Sequence, residues 1–297
     1  MTFTNLLKPR YWPLWFGVGL LWCLTRLPYR WQRVAGRQLG HLTYWLAPRR
    51  RNIAAINLKL CFPELNEMQR HRLVHQHLEC LGMGLLEMLS AGWRSEASLR
   101  PLGQIEGLEH LQAGLKRGKG VILLSAHFTS LEIGCFFLTL YTAFHGTYRP
   151  HENLLIEYFM QKNRDKRAEK TIPRDAVREM LRSLKQNKAL WIATDQNFGH
   201  KHSVFAEFFG IPAATNTMIS RLAQISGATV VPFFTQRVEQ PQGYKVILQP
   251  ALENFPSGDS LQDASQINKL IETQIRTAPE QYLWVHRRFK DRPPGEK

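Results

Sequence analysis

The sequence predicts an α/β fold in which helices cover a central, mostly parallel sheet. Short apolar runs alternate with stretches of helical periodicity from about residue 108 onward, and this alternation is typical of parallel sheets. At 297 residues, 44% of them hydrophobic, the chain can form a large core without disulfides. The first sixty residues carry a tryptophan-rich apolar segment and no acidic residue. We therefore expect an amino-terminal membrane-anchoring helix before the α/β domain.

The predicted elements of the α/β domain follow in chain order. Apolar residues at helical spacing predict a long helix over residues 66–90, with Asn66 as its cap. The elements predicted after it are a helix at 108–117, a strand at 120–126, a helix at 130–143, a strand at 146–149, helices at 153–168 and 174–187, a strand at 189–194, a helix at 216–226, strands at 229–236 and 244–249, and a helix at 263–276.

Residues 11–24, "YWPLWFGVGLLWCL", carry no charge, contain three tryptophans and have cations on both sides. Tryptophan favours the boundary between membrane and water, whereas a full span needs about 20 apolar residues. We expect residues 1–30 to form a membrane anchor, as a short span or as a helix in the interface. Residues 31–297 would then form the second domain. A buried helix of a soluble domain is the alternative.

The net charge of +15 is concentrated at the amino terminus, where ten cations precede the first acidic residue, Glu64. Such a field attracts an anionic partner: a nucleic acid, an anionic membrane or a phosphorylated lipid. A nucleic-acid partner is disfavoured because the aromatic residues cluster with Leu and Val instead of alternating with Lys and Arg. If residues 11–24 span a membrane, the heavier cationic flank predicts a cytoplasmic location for the rest of the chain.

Residues 119–134, "KGVILLSAHFTSLEIG", place His127 at the end of a predicted strand and Glu132 at the start of the next helix. Ligands of open α/β sheets bind beyond the carboxyl ends of the strands. If a turn separates strand from helix, the glutamate can fold back onto the imidazole and fix its tautomer. The other ring nitrogen would then serve as a base. A histidine that only caps the helix is the alternative.

Other catalytic patterns are absent from the sequence, which has no Gly-x-Ser-x-Gly, no His-Glu-x-x-His and no glycine-rich phosphate loop. A base without a protein nucleophile favours direct transfer, in which a substrate hydroxyl attacks an activated donor. His71, His75 and His77 have a spacing that could hold a metal. Because no carboxylate or cysteine completes such a site, we expect a solvated helix face there and no metal.

His-x4-Glu after a hydrophobic strand resembles the motif of the lysophospholipid and lipid A acyltransferases. The other blocks that narrow the resemblance are "KPRYWPLWFGVGLLW", "NLKLCFPEL", "GMGLLEM", "YRPHENLLIE", "ATDQNFG", "SVFAEFFGIPAATNT" and "EQYLWVHRRFKDRPPG". Together with "AHFTSLEIG" they resemble, from about residue 8 to residue 295, the late acyltransferases of lipid A biosynthesis.

This resemblance implies a Gram-negative inner-membrane enzyme with a central sheet of the glycerolipid acyltransferase type and a catalytic domain facing the cytoplasm. It implies transfer of a fatty acyl group from the thioester of acyl carrier protein to the 3-hydroxyl of a hydroxyacyl chain on Kdo2-lipid IVA, without a cofactor. The acceptor is phosphorylated and the carrier is acidic, so both suit a basic protein that faces inner-membrane lipids.

The resemblance also assigns roles to residues. His127 would be the base and Glu132 its orienting partner, and Arg164 and Asp195 match polar positions of the family's active site. We add Arg149, in "YRP", as a ligand for phosphate or Kdo, because the arginine fork suits anionic oxygens. A solvated charge is the alternative for Arg149 and Arg164, and a cap or turn residue is the alternative for Asp195.

Within the family, Glu132 and Arg149 resemble the lauroyl-adding branch, since the myristoyl-adding enzymes tend to carry His-x4-Asp and lack the "YRP" block. Palmitoleoyl-adding relatives share the pattern of this chain. We expect lauroyl transfer. The alternatives are palmitoleoyl or myristoyl transfer to the same acceptor, and a lysophospholipid acceptor.

Overall fold

Strands and helices alternate through most of the chain, of which the computed structural model describes residues 8–164, 168–200, 203–239 and 242–295. The strands are β1 (Gly103–Glu106), β2 (Val121–Ser125), β3 (Phe144–Tyr148), β4 (Lys170–Pro173), β5 (Ala189–Ala193), β6 (Ser203–Phe208), β7 (Ile211–Asn216), β8 (Thr229–Glu239) and β9 (Gln242–Leu248). The α-helices are α1 (Trp12–Arg26), α2 (Tyr29–Leu46), α3 (Pro48–Cys61), α4 (Glu67–Trp93), α5 (Glu96–Leu99), α6 (Leu108–Lys116), α7 (Leu131–Thr139), α8 (Leu154–Arg164), α9 (Val177–Lys185), α10 (Met218–Ser226) and α11 (Ser260–Thr277).

Seven of these strands form one sheet in the order β1-β9-β8-β2-β5-β3-β4. Neighbouring strands are parallel except for β8 and β9, which pair antiparallel. Every residue of β2 is buried, as expected for a central strand that is covered on both faces. The prediction of an α/β fold with a mostly parallel sheet is confirmed.

Alternate side chains of the central strands enter two separate hydrophobic clusters. Ile122 and Leu124 pack with side chains of α3, α4 and α9–α11 on one face. Val121 and Leu123 pack with side chains of α6 and α7 on the other. Helix α4 contacts α3 in one layer and α7 in the other.

Helix α4 begins as predicted at Asn66, whose side chain forms a reciprocal capping box with Gln69. Glycines bring α2 close to α4. A Cβ atom on Gly82 would lie 2.2 Å from the carbonyl oxygen of Gly36, and a Cβ atom on Gly40 would lie 2.3 Å from that of Leu78. The two helix backbones touch because Gly36, Gly40 and Gly82 carry no side chain.

The predicted boundaries needed several corrections. Helices α2 and α3, strands β1 and β4 and the β6–β7 hairpin were not predicted. The helix predicted from residue 174 begins only at Val177, because residues 170–173 pair with β3 as a strand. The helix predicted at 153–168 is described as α8, which ends at Arg164, and residues 165–167 lie outside the described part. Strand β4 carries too short a pattern to be separated from that helix by sequence alone.

The predicted anchor segment forms α1, a helix of 15 residues. Among the described residues, no helix has both the length and the hydropathy needed to cross a membrane. Helix α1 packs partly on the protein, since the ring of Trp15 lies 5.5 Å from that of Phe159 in α8. The division of the chain at residue 30 stays a prediction.

Candidate active site

The register of two parallel strands brings His127 and Asp195 together. Strands β2 and β5 are neighbours, and Ser125 at the end of one is paired with Ala193 at the end of the other. Two residues after that pair, the chain reaches His127 beyond β2 and Asp195 beyond β5. Because the strands are parallel and in register, both side chains arrive at the same point of the carboxyl edge.

Asp195 holds His127 with both carboxylate oxygens, one on the imidazole and one on the backbone. Its Oδ1 lies 2.6 Å from Nδ1 of the ring, and its Oδ2 accepts the backbone N–H of His127 at 3.0 Å. The carboxylate is buried, with 1% of the side chain exposed, whereas 29% of the His127 side chain is exposed. An ionised carboxylate can only accept, so Nδ1 donates the proton and Nε2 keeps a lone pair for an incoming hydroxyl.

The electrostatics of this pair favour a charged imidazole. Burial alone would lower the pKa of His127, but the charge and hydrogen bond of Asp195 outweigh burial and raise the pKa above its ordinary value, and Glu132 adds a smaller effect in the same direction. Burial would raise the pKa of Asp195, but His127, helped by a hydrogen bond from Tyr282, lowers it to about 2. The carboxylate therefore stays ionised and stabilises the imidazolium that forms when His127 accepts a proton.

The carboxyl-terminal segment, residues 281–284, fixes the loop that carries His127. The carbonyl oxygen of His127 accepts the N–H of Leu283 at 2.9 Å, and the N–H of Thr129 donates to the carbonyl oxygen of Gln281 at 2.8 Å. Between these bonds, Phe128 and Tyr282 form an antiparallel bridge. Sequence reasoning missed this contact, and a dense aromatic stretch near the end of the chain, "QYLW", was the one signal for it.

A buried ion pair lies beneath the same loop. Arg237 of β8 donates to both carboxylate oxygens of Glu87 in α4, at 2.6 and 2.7 Å, and lies 3.3 Å from Oγ1 of Thr129. Its backbone N–H and carbonyl both bond to the side chain of Gln281, at 2.7 and 3.0 Å. One arginine thus ties α4, the His127 loop and the carboxyl-terminal segment together. Sequence reasoning did not single out either partner.

The exposed side of His127 faces an apolar groove of about 600 Å³ between α2 and α4. His127 and Glu132 lie in its wall, with Leu283 beside them. The side chains that make the groove apolar are Leu39, Leu42, Leu46, Leu81, Leu85, Met88 and Leu131. An apolar groove with a histidine in its wall suits a long hydrocarbon chain whose reacting group lies at the histidine.

Glu132 lies in the first turn of α7 and lines a second cavity, of about 50 Å³, together with Arg164 and Tyr148. The guanidinium of Arg164 lies over the Tyr148 ring, 5.1 Å from its centroid, and 3.8 Å from a carboxylate oxygen of Glu157. Glu132 therefore joins this cavity to the groove. Arg164 thus shares a cavity with Glu132, which also lines the groove of His127. Arg149 is exposed just beyond β3 and lines neither the cavity nor the groove.

The roles of the two carboxylates differ from the sequence-based expectation. The sequence predicts that Glu132 bonds one ring nitrogen of His127 and that Asp195 binds substrate, whereas in the structure Asp195 bonds Nδ1. Asp195 uses both oxygens on His127, which favours a role through the imidazole over a direct contact with substrate. Only the order of the strands reveals this pairing, because β5 follows β3 in the chain but inserts between β3 and β2 in the sheet.

The amides of the His127 loop are already engaged. The N–H groups of His127, Phe128 and Thr129 donate to Asp195, to the carbonyl of Ala126 and to the carbonyl of Gln281. These three amides are therefore not oxyanion donors in this arrangement. An oxyanion in the groove must be stabilised by other groups.

The sequence predicts a solvated face for the three histidines of α4, but not all of them lie on such a face. His77 is fully buried, and burial lowers its pKa to about 4, so it is neutral near pH 7. His75 stacks on Tyr44 with ring centroids 3.9 Å apart. Within the described ranges, no group of three or more His, Cys, Asp or Glu residues is placed to hold a metal ion.

In this α/β domain a buried carboxylate holds a histidine in the wall of an apolar groove. Such a site suits an enzyme that transfers or hydrolyses long acyl groups. Comparison with known proteins identifies the family. The chain belongs to the bacterial lipid A biosynthesis acyltransferases, whose family model matches residues 2–291.

Three relatives in this family differ in the acyl group that their names give. The chain is 38% identical over 291 residues to the lipid A biosynthesis palmitoleoyltransferase of Escherichia coli (strain K12), an alignment that covers 98% of this chain and 95% of that protein. It is 36% identical to the lauroyltransferase of the same organism, with 98% and 96% covered. It is 26% identical to the myristoyltransferase, with 97% and 90% covered. The chain is thus more similar to the palmitoleoyltransferase and the lauroyltransferase than to the myristoyltransferase, and it is about equally similar to the first two.

Proposed function

We propose that this enzyme transfers a fatty acyl group, lauroyl in preference, from the thioester of acyl carrier protein to a hydroxyacyl chain of Kdo2-lipid IVA. The observation that carries the proposal is the His127 imidazole, which Asp195 holds by Nδ1 and which opens into an apolar groove. The names of the relatives support lipid A biosynthesis as the setting. Palmitoleoyl or myristoyl transfer, or a lysophospholipid acceptor, are the alternatives.

The proposed reaction is a direct displacement. Nε2 of His127 accepts the proton of the acceptor hydroxyl as the hydroxyl oxygen attacks the thioester carbonyl carbon. The carbon–sulfur bond then breaks, and the proton on Nε2 passes to the leaving thiolate. Asp195 stabilises the imidazolium between these steps through its two bonds to His127. The sequence of bonds formed and broken is complete without a metal or other cofactor.

We propose that an acyl chain lies along the leucines of the groove and that Arg164 and Arg149 face anionic parts of the substrates. Each methylene of the chain gains about 0.8 kcal/mol on burial, so a change of one or two carbons in groove depth shifts the preference by only about 1–2 kcal/mol.

We propose further that the enzyme sits on the cytoplasmic face of the inner membrane, with α1 as its membrane anchor. Exposed aromatic side chains and exposed cations lie close together on α1 and α2, as in proteins that bind the interface of anionic membranes. The large apolar side chains exposed on these two helices are Trp12, Leu14, Phe16, Leu20, Trp22, Trp31, Val34, Leu42, Trp45 and Leu46. Leu42 and Leu46 also line the groove, so an acyl chain could pass into it from the lipid side.

The test is an assay of the purified protein in detergent with Kdo2-lipid IVA and, separately, lauroyl-, palmitoleoyl- and myristoyl-acyl carrier protein. Mass spectrometry of the product lipid should show the gain of one acyl group, fastest for lauroyl. His127→Ala should lower the rate by about 10²–10⁴-fold, because it removes the base. A faster reaction with another donor would correct the chain. No product with any donor, but product with a lysophospholipid, would replace the acceptor.

A further inference from the structure

We propose that a third cavity, separate from the groove and from the cavity that Glu132 and Arg164 line, binds a phosphate ester of a substrate. This cavity, the arginine pocket, has a volume of about 370 Å³ and lies between the start of α9 and α10. Its cationic lining residues are Arg174 and Arg221, and its apolar ones include Val177, Phe198 and Ile225.

The arginine pocket lies at the same edge of the sheet as His127. Arg174 directly follows β4, and its backbone N–H donates at 2.9 Å to the carbonyl of Tyr148, the last residue of β3. Phe198 belongs to the loop that begins at Asp195, after β5. The pocket therefore takes part of its wall from the loop that begins at Asp195.

Arg174 is arranged to bind an additional anion. Its guanidinium lies over the ring of Phe198, 5.1 Å from the centroid. Its buried Nε has no hydrogen-bond partner among the described residues, and the nearest carboxylate oxygen, on Asp175, is 3.7 Å away. The Asp175 side chain is 82% exposed, so water screens this pair. The Nε–H of Arg174 thus lacks a hydrogen-bond acceptor, which an anion that enters the pocket would supply.

The lining residues select the class of ligand. The two arginines are opposed, among the described lining residues, by the single carboxylate of Asp175, which leaves one net positive charge. Guanidinium forks match phosphate oxygens, and aliphatic side chains contact the organic part of a ligand. Val177 and Ile225 leave such a contact open, since both are exposed. The arginines therefore suit the phosphate group itself, and the apolar side chains suit the organic part that a phosphate ester carries.

This inference rests on the proposed function, whose two substrates both carry phosphate esters. The acceptor has them on its sugars, and the donor has one in the pantetheine arm of its carrier. The shared chemistry is a phosphate ester, and kinetic experiments can distinguish the two sources.

Arg174→Gln, Arg221→Gln and the double variant test the pocket, with Arg182→Gln as the matched control. Arg182 is also exposed on α9 but lies outside the lining. We expect the KM for the phosphate-bearing substrate to rise about tenfold per lost charge-assisted bond, with kcat nearly unchanged, because the contact is equally present in the ground and transition states. A KM in the double variant no higher than in Arg182→Gln would overturn the proposal.

Dephosphorylated substrates identify the source of the phosphate. If the KM penalty of the double variant disappears with an acceptor that lacks one phosphate, the acceptor headgroup occupies the pocket. If it disappears with lauroyl-pantetheine, which lacks the phosphate of the carrier arm, the donor does. A penalty that persists with both substrates would refute phosphate binding.

A binding measurement separates this proposal from the proposed function. Inorganic phosphate, titrated at constant ionic strength, should broaden its ³¹P resonance with wild-type protein and with Arg182→Gln but not with the double variant. Equal broadening with all three proteins, or none with the wild type, would overturn the pocket. If phosphate binding depends on the two arginines while no acyl transfer occurs, the proposed function fails and the pocket remains.

Discussion

The hydrogen-bond partner of the His127 ring is Asp195, which lies 68 positions later in the chain. The sequence places the histidine correctly at the end of a buried strand, because five apolar-leaning residues precede it and a helical pattern follows. It also offers Glu132 as the nearest carboxylate in the chain. The carboxylate nearest in space is Asp195, which local sequence patterns cannot reveal because they do not encode the order of strands in a sheet.

Asp195→Asn should lower kcat by about 10²–10⁴-fold and move the acid limb of the pH profile to lower pH. His127 must be neutral to act as a base, so the rate falls as pH falls through its pKa. Asp195 raises that pKa, and its removal therefore extends the neutral form to lower pH even though the remaining activity is small. The measurement is log(kcat/KM) against pH with lauroyl-acyl carrier protein. An acid limb at the wild-type position would contradict the assignment.

Glu132→Gln should move the acid limb in the same direction but by less than Asp195→Asn. Its charge raises the pKa of His127, but less than the charge and hydrogen bond of Asp195 do. The same pH series, run on both variants, compares the two carboxylates directly. If the Glu132 variant gave the larger shift, Glu132 would be the orienting partner, as the sequence alone suggested.

At the scale of elements, α4 positions the site through glycines. Gly36, Gly40 and Gly82 let α2 approach α4 and so form the groove between them. Gly84 does the same for the catalytic loop, since a Cβ atom there would lie 2.3 Å from the carbonyl oxygen of Thr129. A helical periodicity predicts the helix α4 itself, whereas the reason for glycine at these positions appears only when the neighbouring backbones are known.

Gly84→Ala should destabilise the fold by about 1–3 kcal/mol and lower kcat, because the new methyl group displaces the loop that carries His127. Gly17→Ala in α1 is the control, since nothing lies within 4 Å of its added Cβ. It should be neutral or stabilising by up to about 1 kcal/mol. Thermal unfolding and turnover are measured on both variants. Equal effects would show that the close contact with Thr129 is unimportant.

At the scale of the whole molecule, distant segments converge on the site. Part of the amino-terminal charge, which has no acidic neighbour in the sequence, is neutralised by later residues: Arg33 pairs with Glu239, and Arg37 lies 3.7 Å from the same carboxylate. The carboxyl-terminal segment is held by Asn57 of α3, whose amide donates to the carbonyls of Trp284 and His286 at 2.7 Å each. The first and last parts of the chain thus support the loop between them.

Glu87→Gln should cost about 3–5 kcal/mol of folding free energy, because it leaves the buried charge of Arg237 without its counterion. Glu106→Gln is the control: its carboxylate also pairs with a cation, Lys245, at 2.8 Å, but is 53% exposed. That pair should contribute less than about 1 kcal/mol. Urea unfolding in detergent measures both variants. A Glu87 variant that lost no more stability than the control would mean that the ion pair is not needed to hold the loop.

The sequence by itself determined the α/β class, the long helix from Asn66, the position of His127 at a strand end and the resemblance to the lipid A acyltransferases. These features rest on local periodicity and on contiguous motifs, which a linear pattern contains. The tertiary structure decided that Asp195 holds the imidazole, that α2 and α4 enclose the groove, and that Arg237 and residues 281–284 brace the loop. Each of these contacts joins segments that are far apart in the chain. The order and register of the strands bring Asp195 to His127, and glycines let α2 approach α4.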